Sequence, residues 1–515
     1  MDIKEKILVI EFGSQYSHLI VRRIRNLGVY SELIYPEDIK SKIDDSVRGV
    51  ILSGGPMSIY DPGSPKIDRH QLDSINRPIL GICYGHQLIA YLYGGRVEKG
   101  RYGEYGGVIF KIYGDHPILE GLPKVSRVWM SHRDFVVDIP EGFRNIGSTE
   151  YTRYAALVNE EKKIYTLQFH PEVSHTEYGE KILGNFIYKI CGCRGGYDPY
   201  QIIQDFIESY SRYSDENVLM AVSGGVDSTV AAFILREVFG DNLHLVFIDT
   251  GFTRDDDRIF VARFFEENGF SNIHILDRRE LFINNLIGVY DPEEKRRIFS
   301  QLYFEVLNRF TKDLESEYGR FRFLGQGTLY PDIVESGAAS KYTDRIKSHH
   351  NVAYSQLSKL ERIEPLKYLY KDEVRRVAKR LGIPREVYMK HPFPGPGYLV
   401  RIVGEVNREK LRIVKEADKI VEDVLRRYGV YYDIWQAFAA ILPVKTVGVK
   451  GDTRTYEYSV VVRIVESLDG MTAIHSRVPY KILDEISKRI LDEVEGVNRV
   501  FYDLSDKPPS TIEYE

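Results

Sequence analysis

The stretch Ser223-Gly224-Gly225-Val226-Asp227-Ser228-Thr229 joins an apolar, β-rich run at 218–222 to a helix-forming run at 230–235. That order reads as strand, tight turn and helix start, and such a turn is an anion site. The two glycines remove side chains, so backbone N–H groups can close on a phosphate. The unsatisfied amides and dipole of the helix start add partial positive charge, and Ser223 and Ser228 add hydroxyl donors. Asp227 narrows the chemistry. A carboxylate beside phosphates is repulsive unless a divalent cation lies between them, and the lysine that ends a Walker loop is absent. The loop therefore reads as a phosphate site with a divalent cation near Asp227, and not as the loop of a P-loop kinase or GTPase.

A second strand-to-helix junction carries Gly81-Ile82-Cys83-Tyr84-Gly85. It has the glycine spacing of a nucleophile elbow with Cys in the Ser position: flanking glycines permit a strained turn that projects the sulfur, and a helix start favours the thiolate. A thiol nucleophile needs a base. Far downstream, Gln168-Phe169-His170-Pro171-Glu172 offers His170 to take the proton and Glu172 to orient the imidazole. Taken singly these would be a buried Cys, a loop His and a solvated Glu; together at the strand ends of one domain they point to nucleophilic catalysis.

Such side chains need a scaffold that delivers them to one edge. Buried-strand patterns at 7–13 and 49–56, each ending in small or polar residues with a helix-like stretch between them, imply a mostly parallel sheet covered on both faces, with sites at the strand C-termini. In the middle third, 243–251 is a second strand running into Asp249, and 323–328 a further strand and turn. The run 391–397 holds three prolines, which fix φ and remove donors, so it is a rigid connector. Beyond it, helix patterns and then β patterns, with an amphipathic helix near 481–494, describe a small α+β module.

The chain has 515 residues, too many for one core, and the usual domain size suggests about three domains. Hydrophobic residues at 43% and charged at 28% are those of an ordinary globular protein, and a net charge of −5 disfavours a dedicated nucleic-acid binder. The N-terminus leads straight into a strand-like run, with no signal-peptide pattern and no long apolar segment, which gives the expectation of a cytoplasmic protein. The three cysteines make no disulfide framework, and Cys191-Gly192-Cys193 is too closely spaced for a structural zinc pair. His349 and His350 would point oppositely on a strand, with no carboxylate or Cys at metal spacing, which argues against a metal site.

The loop at 223–229 resembles the pyrophosphate-binding loop of the ATP pyrophosphatase family, whose members cleave ATP between the α- and β-phosphates and activate a carbonyl oxygen by adenylation. Residues 5–190 resemble the class I glutamine amidotransferase domain. That resemblance implies that Cys83 attacks the glutamine side-chain amide, forms a glutamyl thioester and releases ammonia, with Gly54 and Gly55 as oxyanion-hole glycines. Trp129-Met130-Ser131-His132-Arg133-Asp134 resembles a loop of the same family, with Arg133 where Gly is usual; whether His132 packs or contacts glutamine is open. Stretches 291–297, 346–352 and 364–375 resemble GMP synthetases, and 435–438, 447–452 and 469–473 resemble the dimerisation domain of that family. By this resemblance Lys371 lies near the ATP phosphates and Arg296 belongs to the XMP site. The C-terminal residues fold onto the xanthylate, with Lys507 at its phosphate and Ile512 and Glu513 at its base or sugar. Tyr514 stands where Trp is usual, and Thr250 where Asn is common.

The order of these parts is that of single-chain, glutamine-hydrolysing GMP synthetases. The resemblance implies that XMP, ATP, glutamine and water become GMP, AMP, pyrophosphate and glutamate, in a homodimer joined through its C-terminal domain, with neither nucleic acid nor membrane as partner. The expected architecture is multidomain α/β: a doubly wound amidotransferase domain over 1–194, a Rossmann-like ATP pyrophosphatase domain over 195–391, and a small α+β dimerisation and XMP-binding domain over 392–515. NAD synthetase and asparagine synthetase share the phosphate loop, but their glutaminase parts, a nitrilase-type fold and an N-terminal nucleophile, do not fit Cys83 with His170 and Glu172. A regulatory or RNA-binding protein that kept only the fold would be expected to lack Cys83 or Asp227.

Overall fold

The computed structural model describes residues 4–14, 16–336, 360–467, 470 and 472–515. The expectations for 346–352, His349 and His350 among them, and for Asp469 and Met471 therefore lie outside the described residues. The chain forms two compact units, one carrying residues 4–202, the other residues 203–333 and the described residues from 360 on.

In the first unit, β1 (Lys6–Ile10), β2 (Tyr30–Ile34), β3 (Val47–Leu52), β4 (Ile79–Ile82), β5 (Arg96–Ile112), β6 (Val125–Asp138), β7 (Arg144–Ser148), β8 (Ala156–Asn159) and β9 (Ile164–Leu167) form one sheet, ordered β2-β1-β3-β4-β9-β8-β7-β5-β6. The run from β2 to β9 is parallel and the rest antiparallel. β4 and β9 are buried at every position, as parallel strands covered on both faces must be, and this is why they read as unbroken apolar runs.

β6 instead alternates buried and exposed along its length, with one face wet. Residues 129–134, expected as a loop, belong to this strand: Gly107 pairs with Trp129 and Glu104 with His132. The physical reason lies in the period-two sequence, in which Val128, Met130 and His132 are buried between more exposed neighbours.

In the second unit, β10 (Asn217–Ala221), β11 (Leu243–Asp249), β12 (Asn272–Asp277), β13 (Phe321–Gly325) and β14 (Glu361–Ile363) form a parallel sheet ordered β12-β11-β10-β13-β14. The order reverses between β10 and β13, so the loops that leave these strands part to opposite sides and open a crevice, the place where such sheets bind ligands. A further sheet holds β15 (Gln436–Lys450), β16 (Thr453–Glu466), β17 (Ile474–His475) and β18 (Val497–Tyr502). The helix Arg408–Arg427 buries Val414, Ala417, Val421 and Val424, an i, i+3, i+7, i+10 stripe that gives the sheet its cover. The expected division at 391/392 falls inside this unit, whose apolar core runs from Leu219, Val246 and Phe299 to Val414, Ile441 and Val462. Among the described residues no helix is long and apolar enough to cross a membrane.

Candidate active site

β4 ends at Ile82 and the helix Tyr84–Leu92 begins two residues later, so Cys83 alone turns the chain, at φ +53° and ψ −104°. That is strained backbone for a residue with a Cβ. The surroundings impose it. The Cys83 amide donates to Leu167 O at 2.8 Å, and only glycine fits on either side: a Cβ on Gly81 would lie 2.7 Å from Gly85 O, and one on Gly85 2.5 Å from Leu52 O. The glycine spacing read in the sequence has this steric cause.

His170 follows β9, the strand beside β4. It and Glu172 are buried, and Glu172 Oε1 accepts a hydrogen bond from His170 Nδ1 at 2.6 Å. A carboxylate only accepts, so Nδ1 carries the proton and Nε2 is left for the thiol. Burial alone would lower the pKa of His170, but the Glu172 carboxylate and the Cys83 sulfur outweigh it and hold it well above the ordinary imidazole value. The site thus favours the imidazolium form of His170. Gly54 abuts both partners: a Cβ there would lie 3.2 Å from His170 Cε1 and 3.5 Å from Cys83 Cβ. Gly55 packs over Phe12 O and the Tyr84 ring, with room for no side chain. His132 is engaged elsewhere, 3.0 Å from Asp134 O through Nδ1 and 3.4 Å from Glu104 Oε2 through Nε2. It acts as a buried tie between β5 and β6.

The loop after β10 is tied by its own hydroxyls. Ser228 Oγ lies 3.2 Å from the Ser223 amide and 3.2 Å from Ser223 Oγ, and Thr229 Oγ1 donates to Gly225 O at 2.8 Å. Gly224 takes φ +72°, a conformation that favours glycine. The turn after β13 lies against the start of the helix Val226–Phe239: a Cβ on Gly327 would come 2.9 Å from Asp227 C and 3.0 Å from Ser228 N. Lys371, at the start of the helix Lys371–Arg380, forms an ion pair with Asp227 Oδ2, while Asp227 Oδ1 is buried with no hydrogen-bond partner among the described residues. One carboxylate oxygen is therefore satisfied by a cationic side chain and the other is left for a further ligand.

At the C-terminus, Ile512 is buried among Phe438, Ala440, Val461, Val465 and Ala473. Glu513 accepts from Arg401 Nε and Nη2, each at 3.1 Å, and from Gln436 Nε2 at 2.6 Å. Lys507 Nζ donates to Gly470 O at 2.7 Å. Buried Arg463 holds the backbone of the same segment through Ser505 O at 2.6 Å and Thr511 O at 3.1 Å. Lys507, Ile512 and Glu513 are thus gathered on the β15–β16 sheet. Arg296 is ion-paired with Glu293 of its own helix, and it is its neighbour Lys295 that reaches the tail, through Glu515. Sequence reading missed Lys295, Arg401 and Arg463, because partners more than 40 residues distant leave no local pattern.

Comparison with known proteins bears on both ends of the chain. The family model for glutamine amidotransferase class-I matches residues 8–190, and that for the GMP synthase C terminal domain matches residues 423–514. The glutamine-hydrolyzing GMP synthase of Aquifex aeolicus is 48% identical over 518 residues, covering 99% of this chain and 100% of its own. The chain belongs to the glutamine-hydrolysing GMP synthase family. Other members include that of a Nitratiruptor species, 46% identical with 99% of each chain covered, and that of a Thermotoga species, 47% identical with 99% of this chain and 100% of its own covered. The amidotransferase match contains Cys83, His170 and Glu172, and the GMP synthase C-terminal match contains Lys507, Ile512 and Glu513.

Proposed function

We propose that this family member makes GMP from XMP, ATP, glutamine and water, releasing AMP, diphosphate and glutamate, with the two halves of the reaction run at the two sites described. The observation that carries the reading is the presence in one chain of a Cys83–His170–Glu172 set and a phosphate loop in which Asp227 stands in place of a Walker lysine.

At the first site Cys83 Sγ attacks the glutamine carboxamide carbon, and the amides at Gly54 and Gly55 face the oxygen on which charge develops. His170 returns the thiol proton to the leaving nitrogen, ammonia departs, and water then cleaves the thioester to give glutamate. At the second site the amides and hydroxyls of Ser223, Gly224, Gly225, Val226, Ser228 and Thr229, with Lys371, hold the ATP phosphates. The xanthine C2 oxygen attacks the α-phosphorus and diphosphate leaves. Ammonia then adds at C2 and AMP leaves with that oxygen. It must arrive uncharged, since ammonium has no lone pair. Asp227 suits magnesium, because its Oδ1 is buried and unpartnered among the described residues; the ion would offset the charge of the triphosphate and of the departing diphosphate.

Arg296, Lys507, Ile512 and Glu513 are the residues assigned to XMP. Glu513 is already held by Arg401 and Gln436, so it reaches the nucleotide as a fixed acceptor. A homodimer is assigned to the C-terminal module, whose β15–β16 hairpin exposes Val447, Val449 and Tyr456, and the cytoplasm is assigned as its location. With XMP, ATP, magnesium and glutamine, equal amounts of AMP, diphosphate and GMP are expected by ion-pairing chromatography. AMP without GMP would remove XMP as the acceptor.

A further inference from the structure

Glu11 directly follows β1 and is buried, with 5% of its surface exposed. Its Oε1 accepts the Gly13 amide at 2.5 Å, and the Ser14 amide also bonds to the carboxylate. Gly13, at φ +91°, turns the chain there. The turn matters because of what it carries. Ser14 Oγ accepts the Tyr16 amide at 3.1 Å and lies 3.4 Å from where a Gly54 Cβ would be, while the Tyr16 ring sits edge-on to His170 at 5.2 Å. Next to Glu11, the Phe12 amide donates to Ser53 Oγ at 3.2 Å, and Phe12 O closes over Gly55.

We propose that Glu11 is a positioning residue for the thiol site: its ionised carboxylate gathers the Gly13 and Ser14 amides into the turn that sets Ser14 against Gly54 and Tyr16 against His170. The inference rests on the glutaminase reading above. A carboxylate serves this role and a carboxylic acid serves it less well, because two amides need acceptors and protonation turns one oxygen into a donor.

The groups packed around it leave Glu11 unusual. The Glu11 amide donates to Ile34 O of β2, the Ser53 hydroxyl just after β3 takes the neighbouring Phe12 amide, and the helix Ser17–Asn26 brings Ser17 to the carboxylate. Burial outweighs Ser17 and the two amides to push its pKa up to about 7. A carboxyl raised in the fold contributes stability that is fully present below its unfolded value and is lost as pH rises through about 7. Ionised Glu11 therefore costs stability at neutral and alkaline pH.

The experiment compares wild type, Glu11→Gln, Glu11→Asp and Cys83→Ala for glutamine-dependent and ammonia-dependent GMP formation from about pH 6 to about pH 9, with thermal melting at about pH 8, a range that brackets the Glu11 titration. The ratio of wild-type to Glu11→Gln glutamine-dependent kcat/KM cancels the titration of the Cys83–His170 pair. It is expected to rise through about pH 7, from near one to about tenfold. Ammonia-dependent rates stay equal, Glu11→Asp keeps the pH rise, and Glu11→Gln melts higher than wild type at the alkaline end. A ratio flat with pH, or a lower melting temperature with both activities falling together, would overturn the proposal. Glutamine-dependent activity surviving in Cys83→Ala would instead sink the glutaminase reading on which it rests.

Discussion

Replacing Cys83 by alanine is expected to lower glutamine-dependent GMP formation by at least ~10³-fold and to leave the ammonia-dependent reaction within about twofold of wild type. The size of the first effect follows from chemistry. Without the sulfur there is no thioester, and His170 and the Gly54–Gly55 amides are left to assist water, which is a far poorer nucleophile than a thiolate paired with a histidine held above its ordinary pKa. The constancy of the second follows from the division of the chain into two compact units, since the phosphate loop and its partners all lie in the unit that lacks Cys83. Steady-state rates with saturating glutamine and with ammonium chloride in alkaline buffer check both halves. Loss of both activities in a variant that melts like wild type would contradict the separation.

Asp227→Asn has the complementary signature. Both nitrogen sources should fail, by about 10²- to 10³-fold, the cost usual for removing one well-placed electrostatic contact at a reacting phosphate. The amide keeps the shape of the carboxylate but not its charge, so Lys371 loses its ion-pair partner and the buried Oδ1 position loses its affinity for a cation. Hydrolysis of glutamine measured on its own should persist. Glutamate release, GMP formation and the KM for ATP, measured in parallel, separate this outcome from general unfolding. A variant that uses ATP normally would show that Asp227 does not serve the phosphates.

Much of this organisation is legible in the sequence, for identifiable reasons. At Cys83 and at 223–229 the chemistry sits where a strand meets a helix. There glycine is required by contacts within a few residues or by a positive φ, as the short approach of Gly81 to Gly85 O and the φ of Gly224 make plain. Such demands are written locally. His170 and Glu172 can be paired with Cys83 because adjacent parallel strands bring their C-termini to one edge.

What stays hidden depends on contacts distant in sequence. The sequence gives no sign that Arg401 and Gln436 hold Glu513, nor that Lys371, 144 residues on, pairs directly with Asp227. Family likeness makes the segment 129–134 a loop, whereas its own alternation of buried and exposed positions makes it a strand. Glu11 escapes a sequence reading because one buried carboxyl leaves no periodic trace.

The claim at the centre of this account is that the loop at 223–229 activates XMP by adenylation, so that the oxygen lost from C2 departs with AMP. XMP carrying a heavy oxygen isotope at C2, turned over with ATP and glutamine, tests it directly by mass spectrometry of the products. The account predicts one labelled oxygen in the phosphate of AMP for each GMP formed, and none in the diphosphate. Label released to water, or carried in the diphosphate, would contradict it.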